Sequence, residues 1–127
     1  MNSYRGDIIE ESLENKDILK KLNVIATRVA KVVDKHQTPW LTQWTLDTIE
    51  VGDDEADNLA EELSRALESK HGWYIDYRND RYHYVIFKNK FFKLNRSKKS
   101  DYEEMISYGL SKGTPSYQLP RFAGSQT

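Results

Sequence analysis

Ala56, Leu59, Ala60, Leu63 and Leu67 recur at i, i+3, i+4, i+7 and i+11, a stripe that an α-helix gathers onto one face. Segments with a two-residue period lie on either side of it, so the chain has to combine an amphipathic helix with strands. Gly52-Asp53-Asp54 breaks the strand before the helix and offers Asp53 as its N-cap. Lys70-His71-Gly72 offers the stop, with Gly72 free to take the left-handed terminating conformation and Lys70 complementing the dipole. With 127 residues there is room for one hydrophobic core, and about two-thirds of the chain's surface can be buried in it.

Before that helix, Tyr4 to Glu10 reads as a short strand, and Asn15 caps a short helix carrying Ile18, Leu19 and Leu22. Val24 to Val33 is rich in β-branched residues and reads as a strand, although Ile25, Val29 and Val32 also share a helical face. Gln37-Thr38-Pro39 is a loop signal. From Trp44 to Val51 the chain alternates, with Trp44, Leu46, Thr48 and Glu50 facing one way and Thr45, Asp47, Ile49 and Val51 the other.

After the helix, Trp73 to Arg78 sets Trp73, Ile75 and Tyr77 against Tyr74, Asp76 and Arg78. An Asn79-Asp80 turn then leads into Arg81 to Phe87 as a hairpin. Lys88-Asn89-Lys90 separates this from a third strand, Phe91 to Leu94. Ser97 to Ser100 supplies caps for a last helix with Tyr102, Met105, Ile106 and Leu110 on one side, closed by Gly113 and Pro115. The expected architecture is a single α+β domain over residues 1–119, mainly antiparallel sheet with helices packed on one face, followed by a flexible tail over 120–127.

No cysteine is present, which excludes disulfides, thiolate metal sites and cysteine nucleophiles. No window approaches the ~18 apolar residues that would span a bilayer, and no signal peptide is legible, so the expected setting is the cytoplasm, with no membrane partner. A net charge of -1 argues against bulk attraction to nucleic acid while leaving a local patch open. His36, His71 and His83 show no ligand spacing, the glycines stand singly, and no Gly-x-Ser-x-Gly elbow occurs. Neither a metal nor a cofactor is therefore expected, and no catalytic residue is assigned. His83, between Tyr82 and Tyr84, is the histidine with the most restricted setting; a hydrolytic enzyme would use it as a base with a carboxylate that spacing does not identify.

Two features rise above background. Lys88, Lys90, Lys93, Arg96, Lys98 and Lys99 crowd six positive charges into residues 88–99, beside Phe87, Phe91 and Phe92. Cations with interleaved rings suit single-stranded nucleic acid, with Lys88, Lys90, Lys93 and Arg96 as candidate contacts; lysines guarding an edge hairpin account for the same pattern. The other feature is fifteen aromatic residues concentrated around the middle strands. Trp44, Trp73, Tyr82 and Tyr84 are the candidate contacts of a small protein-binding or adaptor module that uses an aromatic sheet face towards a protein partner or a second copy. Rings standing in for absent Leu and Val in a lean core are the simpler explanation of the same residues.

The second half of the chain, from Trp73-Tyr74 through Tyr82-His83-Tyr84-Val85-Ile86-Phe87, Phe91-Phe92-Lys93-Leu94 and Tyr108-Gly109-Leu110 to Tyr117-Gln118, resembles a group of short prokaryotic proteins of unknown function. The stretch Asp7-Ile8-Ile9-Glu10-Glu11-Ser12-Leu13 is similar to their first part. The resemblance implies a bacterial or archaeal stand-alone domain and brings no activity, cofactor or site residue with it.

Placing the helical stripe in the core has a direct test. Burial of each large apolar side chain contributes about 1.5–3 kcal/mol, so Leu63→Asp is expected to abolish the cooperative thermal transition. An unchanged melting temperature would place the core elsewhere.

Overall fold

A computed structural model describes residues 3–31 and 41–122. The strands are β1 (Tyr4–Ile9), β2 (Asn23–Lys31), β3 (Gln43–Val51), β4 (Ile75–Arg78), β5 (Tyr82–Phe87) and β6 (Lys90–Asn95). The α-helices are α1 (Ala56–Ala66) and α2 (Lys99–Ser111). Short 3₁₀ helices cover Glu10–Ser12, Lys16–Lys21 and Ser116–Gln118. The strands form one antiparallel sheet in the order β2-β3-β1-β4-β5-β6. The protein is thus an α+β domain built on an antiparallel sheet.

Side chains alternate across this sheet, and the two apolar clusters follow the alternation. Tyr84 and Ile86 on β5 join Tyr4, Ile8, Ile49, Ile75 and Tyr77 beneath the Ala56, Ala60, Leu63 and Leu67 stripe of α1. Val85 and Phe87, pointing the other way, join Leu94 beneath Tyr102 and Met105 of α2. The two helices therefore cover opposite faces of the sheet. The expectation of helices on one face holds for α1 alone, because β5 is apolar at every position from Tyr84 to Phe87 and needs cover on both sides.

β1 lies in the interior of the sheet, between β3 and β4, although it is the first strand in the chain. Gly6 makes this possible. A Cβ there would sit 1.8 Å from the Asp76 carbonyl oxygen and 2.7 Å from the Tyr77 Cα, so no larger residue fits without moving β4. Around it Tyr4, Tyr77 and Tyr84 pack edge-on or tilted, with ring centroids 5.1–5.8 Å apart. The Tyr77 hydroxyl donates to the Ala56 carbonyl at 2.5 Å and the Tyr84 hydroxyl donates to Asp57. These bonds tie the first turn of α1 to the sheet, and burial pushes the pKa of both phenols upward.

Local expectations are corrected at several ends. Asn15 does cap, accepting from the Asp17 amide at 3.1 Å, but the segment it caps is 3₁₀. Glu55, already in helical conformation, precedes α1, and Asp53 is not its cap. α1 stops at Ala66 and not near Lys70, because its last carbonyl is taken by the amides of Glu14 and Asn15 at 2.8 and 3.1 Å. Leu67 then turns extended and bridges to Leu13. In the β4–β5 hairpin the central pair is Asp80-Arg81, since the Asn79 side chain accepts from the amides of Arg81 and Tyr82. Trp73 and Tyr74 precede β4 and do not belong to it.

The loop expected at Gln37-Thr38-Pro39 lies outside the described residues, as do Val32, Val33, His36 and Trp40. Of the expected tail, Pro120 to Phe122 are described, and the Phe122 ring stands 5.8 Å from that of Tyr102. Residues 123–127 lie outside. Among the described residues no helix is long and apolar enough to cross a membrane.

Gly6→Ala is expected to cost about 3 kcal/mol or more, as forced backbone displacement in a core does. Chemical denaturation would read it as a lower midpoint. A midpoint within error of the wild type would mean that β1 does not approach β4 this closely.

Candidate functional site

The α2 face of the sheet is not fully covered. Beside α2 it carries a groove of about 300 Å³, whose lining includes Ile9 of β1, Leu46 of β3 and the rings of Trp44, Trp73, Tyr74 and Tyr117. Trp44 and Trp73 meet edge to face with centroids 6.0 Å apart. Tyr74 is held by a hydrogen bond from its hydroxyl to the Gln118 carbonyl. Burial, with the charge of Asp76 adding to it, pushes the Tyr74 pKa upward, so this phenol stays a neutral donor.

Two carboxylates line the same groove, Asp7 and Asp76. They are direct cross-strand partners on β1 and β4 and share one face. Asp7 accepts from the Thr48 hydroxyl at 2.7 Å. Asp76 Oδ2 lies 2.7 Å from His83 Nε2, and His83 Nδ1 lies 3.1 Å from the Tyr102 hydroxyl. The tautomer that satisfies these partners has Nε2–H donating to Asp76 and Nδ1 accepting from Tyr102. His83 is 4% exposed, so it acts from behind the groove and orients Asp76. Burial pushes the Tyr102 pKa upward, against Arg96 and Arg78, which lower it.

The four aromatic candidates divide between the faces. Trp44 and Trp73 are in the groove, Trp44 half-buried and Trp73 at 8% exposure. Tyr82 and Tyr84 point to the α1 face, where Tyr84 is 1% exposed within the tyrosine cluster and has almost no surface to offer a partner. Tyr82 is half-buried beneath the Lys93 ammonium, 4.5 Å from its ring centre.

The basic candidates divide by the same alternation. Lys93 pairs with Tyr84 across β5–β6 on the α1 face, whereas Lys90 reaches over Phe92 and Tyr108 on the other. Lys88 donates to the Arg65 carbonyl and Arg96 to the Asn79 carbonyl. A cluster that is dense in sequence is therefore dispersed in space, and of its rings Phe92 lies beneath the Lys90 ammonium. For His83, the carboxylate that spacing left unidentified is Asp76, and both ring nitrogens are engaged. No group of three His, Asp or Glu side chains suited to a metal ion occurs among the described residues.

Asp7, Asp76, Tyr74 and Tyr117 were not singled out by reading the sequence. The alternation of Trp73 to Arg78 already sets Tyr74 and Asp76 on one side, and that of Trp44 to Val51 sets Trp44 beside Leu46. The missing information is register, which pairs Asp7 with Asp76 across 69 positions of chain. No known protein family matches this chain, and neither a curated protein nor a solved structure is found to be similar to it.

A second carboxyl pair lies at the end of β1. A hydrogen bond to the buried Asp47, then burial, then the charge of Asp47 push the Glu10 carboxyl up to about 7. Asp47 also accepts from the Thr27 hydroxyl at 2.7 Å. Because the folded state holds this proton more tightly than the unfolded chain, the contribution is complete below about pH 4.5 and is lost as pH rises towards 7. The melting temperature is expected to fall over that interval, and Glu10→Gln to flatten the fall. A variant with the wild-type pH profile would show that Glu10 does not hold the proton.

Proposed function

We propose that this protein is a small protein-binding module, and that its contact surface is the groove containing Trp44 and Trp73. The observation that carries this reading is a depression walled by four aromatic rings, where Trp44, Trp73 and Tyr74 reach the surface from the edges of the two cores and Tyr117 is exposed. Aromatic side chains at the centre of a depression are the usual anchors of protein interfaces, since they bury large area at little entropic cost. Of Trp44, Trp73, Tyr82 and Tyr84, the two tryptophans belong to this surface, together with Tyr74 and Tyr117. Resemblance to short prokaryotic proteins of unknown function fits a stand-alone module of this kind.

Single-stranded nucleic acid remains the alternative for the basic residues, and nothing in their arrangement favours it, because Lys90 and Lys93 point to opposite faces. Peptides selected from a random display library against the full chain test the primary reading. Trp44→Ala is expected to weaken the selected peptides by about 2 kcal/mol, roughly thirtyfold, while its circular dichroism spectrum stays that of the wild type. Lys93→Ala is expected to leave them unaffected. Peptides that bind Trp44→Ala as tightly as wild type, or a selection that yields none, would overturn the reading.

A further inference from the structure

Arg81 and Arg96 stand at the ends of two neighbouring strands, just beyond the Tyr82–Asn95 pair of β5 and β6, and the Arg96 amide donates to the Arg81 carbonyl at 3.0 Å. Like charges set opposite each other in this way repel, and a sheet built for stability alone would place a carboxylate at one of the two positions. Both line a hollow of about 350 Å³ between the β4–β5 turn and the segment leading into α2, together with Asp80, Tyr82, Asn95 and Ser97.

Among the described residues the ion pairs engage Arg5, Lys21, Arg65, Lys98, His71 and His83, and neither Arg81 nor Arg96 has a carboxylate partner. Arg96 is held instead by the chain itself: it is half-buried, and its guanidinium donates to the Asn79 carbonyl at 2.7 Å. Arg81 is exposed. Arg78 brings a further positive charge to this corner, since it and Arg96 both lie close enough to the Tyr102 hydroxyl to lower its pKa. The chain thus gathers guanidinium groups around a hollow and supplies no anion to them.

We propose that this hollow binds a phosphate group, free or carried as a small ester, gripped by Arg81 and Arg96. It shares no lining residue with the aromatic groove and does not rest on the reading of that groove. Guanidinium is suited to the task by shape as well as charge, because its planar fork of N–H donors matches two phosphate oxygens. Arg96, already anchored at Asn79, loses little freedom on binding, while Arg81 is free to close over the ligand. The Asn95 side-chain oxygen accepts from Ser97, which leaves its amide N–H groups as neutral donors at the same hollow. A volume of about 350 Å³ is at the lower end of the range for ligand pockets and suits phosphate with a small substituent. Asp80 works against an anion here, so its removal reports the sign of the charge that the hollow receives.

The test titrates the full-length, ¹⁵N-labelled chain with inorganic phosphate and with glycerol phosphate, at an ionic strength held constant with chloride. Both are expected to give saturable shifts of the Arg81, Arg96 and Ser97 amides. Tighter binding of glycerol phosphate would assign the site to an ester, and equal or weaker binding to free phosphate. Arg81→Gln, at an exposed position, is expected to weaken binding about tenfold, as loss of a charge-assisted contact does, and to hold or raise the melting temperature by removing the repulsion. Arg96→Lys, which keeps the charge and loses the fork, is expected to weaken it several-fold, and Asp80→Asn to tighten it. Shifts that chloride alone reproduces, affinity unchanged in Arg81→Gln, or weaker binding in Asp80→Asn would each overturn the proposal.

Discussion

Everything in this domain depends on β1 being clasped between β3 and β4. Without it the sheet falls into a β2–β3 hairpin and a separate β4–β5–β6 meander, and an isolated two-stranded hairpin is marginal in water. Gly6 is the residue that admits the strand, because its missing Cβ leaves room for the Asp76 carbonyl. The same close approach sets the register that brings Asp7 opposite Asp76. Fold and candidate site therefore share one structural cause.

From that strand outward, tyrosines do what aliphatic residues do in richer cores. Tyr4, Tyr77 and Tyr84 fill the space beneath α1, and two of their hydroxyls reach the helix's first turn, so the layer is fastened by hydrogen bonds as well as by area. On the opposite face His83 and Tyr102 perform a comparable task for α2, linking the helix to β5 and ending at Asp76. The two layers differ in outcome. The α1 side closes over Tyr4, Tyr77 and Tyr84, while Trp44, Trp73, Tyr74 and Tyr117 line a groove at the edges of the two cores.

Much of this is legible in the residue pattern, and what is not has a common origin. Period-two segments located the strands, and the Ala56 to Leu67 stripe located α1, because both signals are local. The far end of α1 is not legible locally, since the bonds that stop it at Ala66 come from Glu14 and Asn15, far away in the chain. The faces depend on distant partners in the same way. Composition groups Tyr82 and Tyr84 with Trp44 and Trp73, although the strand period and the sheet register put them on the other side. Lys90 and Lys93 looked like one patch because sequence proximity hides the alternation that separates them. Asp76 was visible only as an acidic residue in a strand; its meaning comes from Asp7 beside it and His83 behind it.

Native-state hydrogen exchange of the β1 amides tests whether this strand is the clasp of the sheet. The amides by which β1 bonds β3 and β4 are expected to exchange only through global unfolding, far more slowly than those of the exposed edge strand β2. β1 amides that exchange by local opening as readily as those of β2 would contradict it.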